Sequence, residues 1–251
     1  MYHRRMGLLL ILMSLLVLPV LVLFLQGQWA KRTVPRYPEA AGRRQGSLNG
    51  EKPVLRVVVM GESPAAGVTL EDIRDSVSYR FIEHLADLSG RHIQWQIHAR
   101  SGICMADLNR DFSSRLTHTP CDVLLLVMGV NDAAQLTPVS AFRKQLSLLI
   151  RRFKTYTSPG AVLLIAGAPM LDHFPALPWP LRAVLGRHSR RLDNVMAETA
   201  DQHGLIYVPT NIDGGEIFAD DGFHPNTEAS GLWAELLAQA LHQHALVVSV
   251  D

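Results

Sequence analysis

The chain has 251 residues, 48% hydrophobic and 19% charged, enough for one domain of about 200 residues with a sizeable core plus a leader segment. Its formal net charge of +1 excludes a strong global field that would attract nucleic acid or acidic polymers. The two cysteines, Cys104 and Cys121, form neither a disulfide framework nor a zinc pattern, and we expect both to be small core residues.

An uncharged apolar run occupies residues 7–26, near the start of the chain. About 20 apolar residues in a helix cross a bilayer core, so the run predicts an uncleaved single-pass membrane anchor within residues 1–30. Arg4 and Arg5 make a cleaved signal peptide the competing interpretation, but no A-x-A-like cleavage site follows the run. The expected location is a bacterial inner membrane. Basic residues flank the run on both sides, so the side that the domain faces stays open.

Residues 31–52 carry prolines and glycines among polar and basic residues, which is typical of a linker. A folded domain is then expected over residues 53–251. The chain shows no internal repeat and no long low-complexity tract.

From residue 54 onward, segments typical of strands and of helices alternate. Short runs rich in apolar residues predict strands at 54–60, 93–99, 122–128, 161–167 and 205–208. Helical periodicity and capping residues predict helices at 71–88, 105–114, 137–155, 181–203 and 227–242, the first with Thr69 as N-cap and Gly90 past its end. The alternation predicts an α/β fold with a doubly wound, mainly parallel five-stranded sheet covered on both faces.

Polar motifs follow three of these strands or precede the last helix. They are G-E-S at 61–63, R-S-G at 100–102, G-V-N-D at 129–132 and D-G-F-H-P at 221–225. Because ligands bind beyond the carboxyl ends of the strands in such sheets, we expect these loops to form the functional site.

The four motifs supply the parts that acyl transfer needs. Ser63 is the candidate nucleophile, His224 the base that takes its proton, and Asp221 the carboxylate that holds the imidazole in the right tautomer. The backbone N–H groups of Ser63 and Gly102 and the side-chain amide of Asn131 are candidate donors to the oxyanion. Each residue alone is typical of a turn or a cap, but the ordered set favours a hydrolase site.

This pattern resembles the SGNH (GDSL-type) hydrolase family. The motif residues of that family correspond in order to Ser63, Gly102, Asn131 and His224, and the resemblance covers residues 53–251. The resemblance implies a three-layer α/β/α sandwich, no metal or organic cofactor, and hydrolysis of esters or thioesters. It also implies a serine within hydrogen-bond reach of His224. The family usually has Asp before the serine, and here Glu62 could either organise the same loop or shift Ser63 and weaken the site.

Two other motifs are excluded. The G-x-S-x-G elbow of α/β-hydrolases requires an N–H after the serine, and Pro64 has none. A nucleotide-binding loop fails because residues 61–67 contain neither G-K-[ST] nor G-x-G-x-x-G.

The sequence therefore predicts a membrane-anchored serine esterase that works through an acyl-enzyme intermediate. The anchor and the apolar, proline-rich segment 174–180 favour lipid-like esters such as lysophospholipids. An O-deacetylase of envelope polysaccharide is the alternative, and a catalytically inactive, membrane-tethered binding module of the same fold is a second class. An ester and the membrane are the expected partners, nucleic acid is not, and the oligomeric state stays open.

Overall fold

The computed structural model of the chain describes residues 2–112, 115–116, 120–157, 160–210 and 217–248, with side chains described within residues 17–244. Six strands in this part form one sheet in the order β1-β3-β2-β4-β5-β6. They are β1 (Gln45–Leu48), β2 (Glu51–Gly61), β3 (Arg91–Ala99), β4 (Val123–Val127), β5 (Val162–Ala166) and β6 (Ile206–Val208).

The sheet is mainly parallel, as the sequence predicts, since β2 to β6 all pair in parallel. The prediction of five strands was wrong. Residues 45–48, assigned to the linker, form an antiparallel edge strand whose Leu48 lies opposite Ile93 of β3. The tetrapeptide QGSL has no alternating apolar pattern, so backbone pairing with β3 determines its conformation.

The sheet separates two hydrophobic cores because successive side chains of a strand point to opposite faces. Along β2, Val58 and Met60 pack into one core, whereas Val57 and Val59 pack into the other. Helices cover both faces, which makes a three-layer α/β/α sandwich. The described helices are α1 (Tyr2–Thr33), α2 (Ser63–Ala66), α3 (Val77–Ser89), α4 (Met105–Asp111), α5 (Val130–Ala134), α6 (Val139–Tyr156), α7 (Leu181–His203) and α8 (Thr227–Val248).

The predicted start of the helix at 71–88 was wrong. Helix α3 begins at Val77, and the Ser76 hydroxyl caps it by accepting a hydrogen bond from the Tyr79 N–H at 3.3 Å. Thr69 has a φ of +77°, which is incompatible with the extended backbone of an N-cap. Gly90 ends the helix as predicted, with a φ of +64°.

The predicted anchor lies in α1. The side chains of residues 2–16, which supply much of the apolar run, lie outside the described part. Among the described residues, no helix is long and apolar enough to cross a bilayer, so the anchor has no support from the structure.

The end of α1 and the segment after it pack onto the domain, within the region that the sequence predicts to be a linker. The Gln26 side chain donates to the carbonyl of Trp179 at 2.8 Å and accepts from the N–H of Leu181 at 3.1 Å. Residues 34–44, here called the strap, continue across the domain. In the strap, the Ala40 N–H donates to the Ala66 carbonyl at 3.2 Å.

Candidate active site

The candidate site lies at the carboxyl ends of the central strands. Strand β2 has β3 on one side and β4 on the other, so the chain crosses from one half of the sheet to the other between β3 and β4. Connections that leave neighbouring strands in opposite directions open a crevice at this point. The loops that carry Ser63 and Asn131 follow β2 and β4, and therefore border the crevice.

Ser63 is the first residue of α2 and lies directly beyond β2. Gly61 makes this turn possible, since a Cβ there would lie 2.5 Å from the Cβ of Ala65 and 2.9 Å from the Val127 carbonyl oxygen. Ser63 is buried. Within the described residues its backbone N–H has no partner, as expected for the first turn of a helix, and it is free to donate to a substrate oxygen.

Glu62 connects the Ser63 loop to the Asn131 loop. One carboxyl oxygen of Glu62 accepts a hydrogen bond from the Val130 N–H at 2.8 Å, and the other accepts from the Asn131 N–H at 2.9 Å. Burial raises the pKa of Glu62 to about 8, even though these N–H groups lower it. The longer side chain therefore spans the gap between the loops and organises them, which is one of the two roles expected for it.

A second buried carboxylate extends the same framework. Asp132 accepts a hydrogen bond from the Met105 N–H at 2.8 Å, which connects the Asn131 loop to the loop of Gly102. The Asn131 side-chain amide donates one hydrogen to the Ile103 carbonyl at 3.1 Å, which leaves its second hydrogen for a ligand.

Gly102 lies in open surroundings and has a left-handed backbone conformation. A Cβ at this position would meet no atom of the described residues within 4 Å, so crowding by them does not require glycine here. Its φ of +79° does favour glycine, because the left-handed region strains other residues. The loop is also held from the strap, where Glu39 accepts a hydrogen bond from the Ser101 N–H at 2.7 Å.

Asp221 and His224 form a compact pair before α8. The Asp221 carboxylate, whose side chain is fully buried, lies 2.5 Å from Nδ1 of His224. Its other oxygen accepts from the N–H groups of Phe223 and His224, both at 2.9 Å. Burial raises the pKa of Asp221, but these hydrogen bonds outweigh it, so the net pKa lies below the usual value. The pair is thus an ionised carboxylate that fixes the imidazole with Nε2 directed away from it.

Two cavities meet at the candidate residues. The aromatic cavity, of about 100 Å³, is lined by Ser63 and His224 together with Phe174, Phe218, Phe223 and Trp233. The strap cavity, of about 450 Å³, is lined by Ser63, Gly102, Asn131 and His224 on one side and by the end of α1 and the strap on the other. The structure therefore brings all five sequence-predicted residues to one place, four on a common cavity and Asp221 behind His224.

The direct serine–histidine hydrogen bond implied by the resemblance is not present. Within the described residues, Ser63 Oγ makes no hydrogen bond with the imidazole, although both side chains line both cavities. Catalytic hydrogen bonds in substrate-free enzymes are often long and tighten only when substrate binds.

Most of the residues that line the cavities carry no signal in the sequence motifs. Phe174 contacts Phe218 and Phe223 with ring centroids 5.1 and 5.0 Å apart, so the proline-rich segment 174–180 does border the site. Phe223 lies inside the D-G-F-H-P motif and could have been singled out by that position. No sequence signal indicated the wall formed by the strap.

The two cysteines line neither cavity of the candidate site. Cys104 and Cys121 are free thiols in the core, as predicted, and burial raises the pKa of each to about 12. Within the described residues, no group of three or more His, Cys, Asp or Glu side chains is arranged to hold a metal ion.

Comparison with known proteins agrees with this geometry. The GDSL-like Lipase/Acylhydrolase family matches residues 59–232. A GDSL-like esterase of Mycobacterium tuberculosis is 26% identical over an alignment of 254 residues. The alignment covers 90% of this chain and 77% of that protein.

Two solved structures share the fold. TesA has a TM-score of 0.62 at 19% identity, covering 74% of this chain and 97% of that one. The psychrotrophic esterase EstA from Pseudoalteromonas sp. has a TM-score of 0.60 at 15% identity, covering 76% and 98%. From the match over residues 59–232, the chain belongs to the GDSL-like lipase/acylhydrolase family, and it is a serine carboxylic ester hydrolase.

Proposed function

We propose that Ser63, His224 and Asp221 hydrolyse an acyl ester through a covalent acyl-enzyme. The observation that carries this proposal is the buried Asp221 carboxylate at 2.5 Å from Nδ1 of His224, with His224 and Ser63 on the same cavities. A carboxylate in this position keeps the proton on Nδ1, so that Nε2 can act as a base toward the serine.

The reaction has two halves. Ser63 Oγ attacks the carbonyl carbon while Nε2 of His224 takes the hydroxyl proton, and the C=O electron pair moves to the oxygen. The Ser63 and Gly102 N–H groups and the Asn131 amide donate to that oxyanion. The C–O bond to the alcohol then breaks, and His224 protonates the leaving oxygen. In the second half, His224 takes a proton from water, which attacks the acyl carbon, and Ser63 leaves with the proton.

Lipid-like acyl esters, such as lysophospholipids, are the favoured substrate class. The aromatic cavity supports this, because its lining by Phe174, Phe218, Phe223 and Trp233 suits an apolar acyl chain. Its volume of about 100 Å³ is the observation that favours the alternative, O-deacetylation of an envelope polysaccharide. Ligand cavities are more often about 300–1,000 Å³, so a small cavity suits a short acyl group.

A chain-length series of p-nitrophenyl esters separates these substrate classes. A maximum of kcat/KM at long chains is expected for lipid-like substrates, whereas a maximum at acetate would favour the deacetylase. Ser63→Ala should abolish hydrolysis of every ester, and Ser140→Ala, at an exposed serine of α6 that lines neither cavity, should retain it. A folded wild type that hydrolyses none of the series would instead indicate the inactive binding module.

The membrane location stays a proposal that depends on the apolar run at residues 7–26. The full-length chain is expected in the membrane fraction and to resist alkaline carbonate extraction. A chain that is released by carbonate would contradict a spanning anchor.

A further inference from the structure

The strap cavity has one wall that comes from neither the sheet nor its loops. Opposite the candidate oxyanion donors, it is lined by Gly27, Ala30 and Lys31 of α1 and by Val34, Pro35, Arg36 and Tyr37 of the strap. This wall lies before residues 59–232, the part of the chain that the family matches.

The wall is fixed to the domain at several points. Ala30 is buried in the core, and the Gln26 side chain bonds to the backbone of Trp179 and of Leu181. On the far side, Arg44 donates to the carbonyls of Ala66 and Ala40. Both ends of the wall are therefore held against the elements that border the cavity.

The strap cavity is lined by basic side chains. Lys31 and Arg36 both line it, and none of the described residues that line it is acidic. Neither cation forms an ion pair within the described residues. The nearest strap carboxylate, Glu39, accepts from the Ser101 N–H and lies 3.6 Å from Arg44, so it is already engaged.

Ser63 lines both cavities, so an ester bound at Ser63 would extend into both of them. An ester carbonyl at Ser63 has its acyl part on one side and its alcohol part on the other. Among the described residues that line the aromatic cavity, none is Lys or Arg, so this cavity suits the apolar acyl part and leaves the strap cavity for the alcohol.

We propose that the strap cavity receives the alcohol part of an ester bearing a carboxylate or phosphate group, and that Lys31 and Arg36 select for that group. This inference rests on the proposed function and adds a substrate feature to it. Because both side chains are exposed, they bind the anion through a water-accessible contact that is weakened by salt.

The test compares two chromogenic esters with the same acyl chain, the 4-nitrophenyl ester and its 3-carboxy-4-nitrophenyl analogue. The double variant K31A/R36A should lower kcat/KM for the carboxylated ester about 5- to 10-fold, mainly through KM, because two exposed charge contacts are lost. The neutral ester should change less than about twofold. Comparing variant with wild type on each ester cancels the difference between the two leaving groups.

Arg32→Ala is the matched control, since Arg32 lies beside Lys31 on α1 but does not line the cavity. It should leave both esters within about twofold of wild type. An equal effect of K31A/R36A on both esters, or on neither, would overturn the inference while leaving the proposed function intact. A wild type that hydrolyses neither ester would overturn the proposed function itself.

A second pair of substrates identifies the source of the anion. Palmitoyl lysophosphatidic acid and monopalmitoylglycerol share an acyl chain and differ by one phosphate group. Loss of kcat/KM for the phosphorylated lipid alone in K31A/R36A supports a lipid headgroup. An effect confined to the carboxylated nitrophenyl ester supports a small soluble ester, and no selective effect in either pair overturns the proposal.

Discussion

The two halves of the candidate site are held in different ways. On the oxyanion side, Glu62 and Asp132 bond to backbone N–H groups 68 and 27 residues away, at Val130 and Met105. On the base side, Asp221 and His224 lie three residues apart and satisfy each other within one turn. The oxyanion side therefore depends on contacts between distant loops, whereas the base side is held by hydrogen bonds within one turn.

This difference predicts how substitutions divide between activity and stability. Residues of the base side can be removed with little loss of folding, because few contacts outside the turn depend on them. Residues of the oxyanion side connect three loops, so their removal lowers the free energy of unfolding as well as the rate.

His224→Ala should have the largest effect, lowering kcat about 10⁴- to 10⁶-fold, since no other group on the base side can take the serine proton. The thermal midpoint should stay within a few degrees of wild type by calorimetry. His203→Ala is the control, because His203 is an exposed imidazole at the end of α7 and lines neither cavity. Near-normal turnover of His224→Ala would show that the base is elsewhere.

Asp221→Asn should lower kcat about 10²- to 10⁴-fold through the wrong imidazole tautomer. The amide oxygen can still accept from the N–H groups of Phe223 and His224, so the turn should persist. Steady-state kinetics and circular dichroism check both parts. Loss of the folded structure together with the activity would contradict a base side that is held by hydrogen bonds within one turn.

Glu62→Ala should lower the free energy of unfolding by about 2–4 kcal/mol, because two buried N–H groups lose their acceptor. Activity should fall together with stability, since the loops of Ser63 and Asn131 lose the side chain that connects them. Urea unfolding of Glu62→Ala beside Glu39→Ala gives the comparison, as Glu39 also accepts from a loop N–H but is only partly buried. Equal and small losses in the two variants would mean that the Glu62 bonds are not structural.

The smallest effect concerns pH. The pKa of Glu62 is raised to about 8 in the fold and is about 4.3 in an unfolded chain, so the folded state binds the extra proton between these values. The stability contributed by this group is complete below pH about 4.3 and is lost as pH rises through about 8.

The wild type should therefore lose about 2 kcal/mol relative to Glu62→Gln between pH 6 and pH 8.5, as measured by urea unfolding. The glutamine does not titrate, which makes it the reference at each pH. A difference that stays constant over this range would mean that burial does not raise this pKa.

Much of this site could be predicted from sequence because its residues follow strand ends. Ser63 and Asn131 come after runs that are apolar enough to be central strands, and the sheet then brings their loops together. The turn chemistry of Asp221 and His224 is local and can be seen in the motif itself.

The parts that escaped prediction depend on contacts without a sequence pattern. The edge strand QGSL is polar, and only pairing with β3 makes it a strand. Gln26 bonds to Trp179 across 153 residues, so nothing near Gln26 indicates that α1 borders a cavity. Glu62 could be identified as a loop acid, but its two partners became visible only in the fold.

The most direct test of the account is covalent labelling with a fluorophosphonate, followed by peptide mapping. We expect one label per chain, on Ser63, absent in Ser63→Ala and strongly slowed in His224→Ala. A label on another residue, or undiminished labelling without His224, would contradict a serine activated by this imidazole.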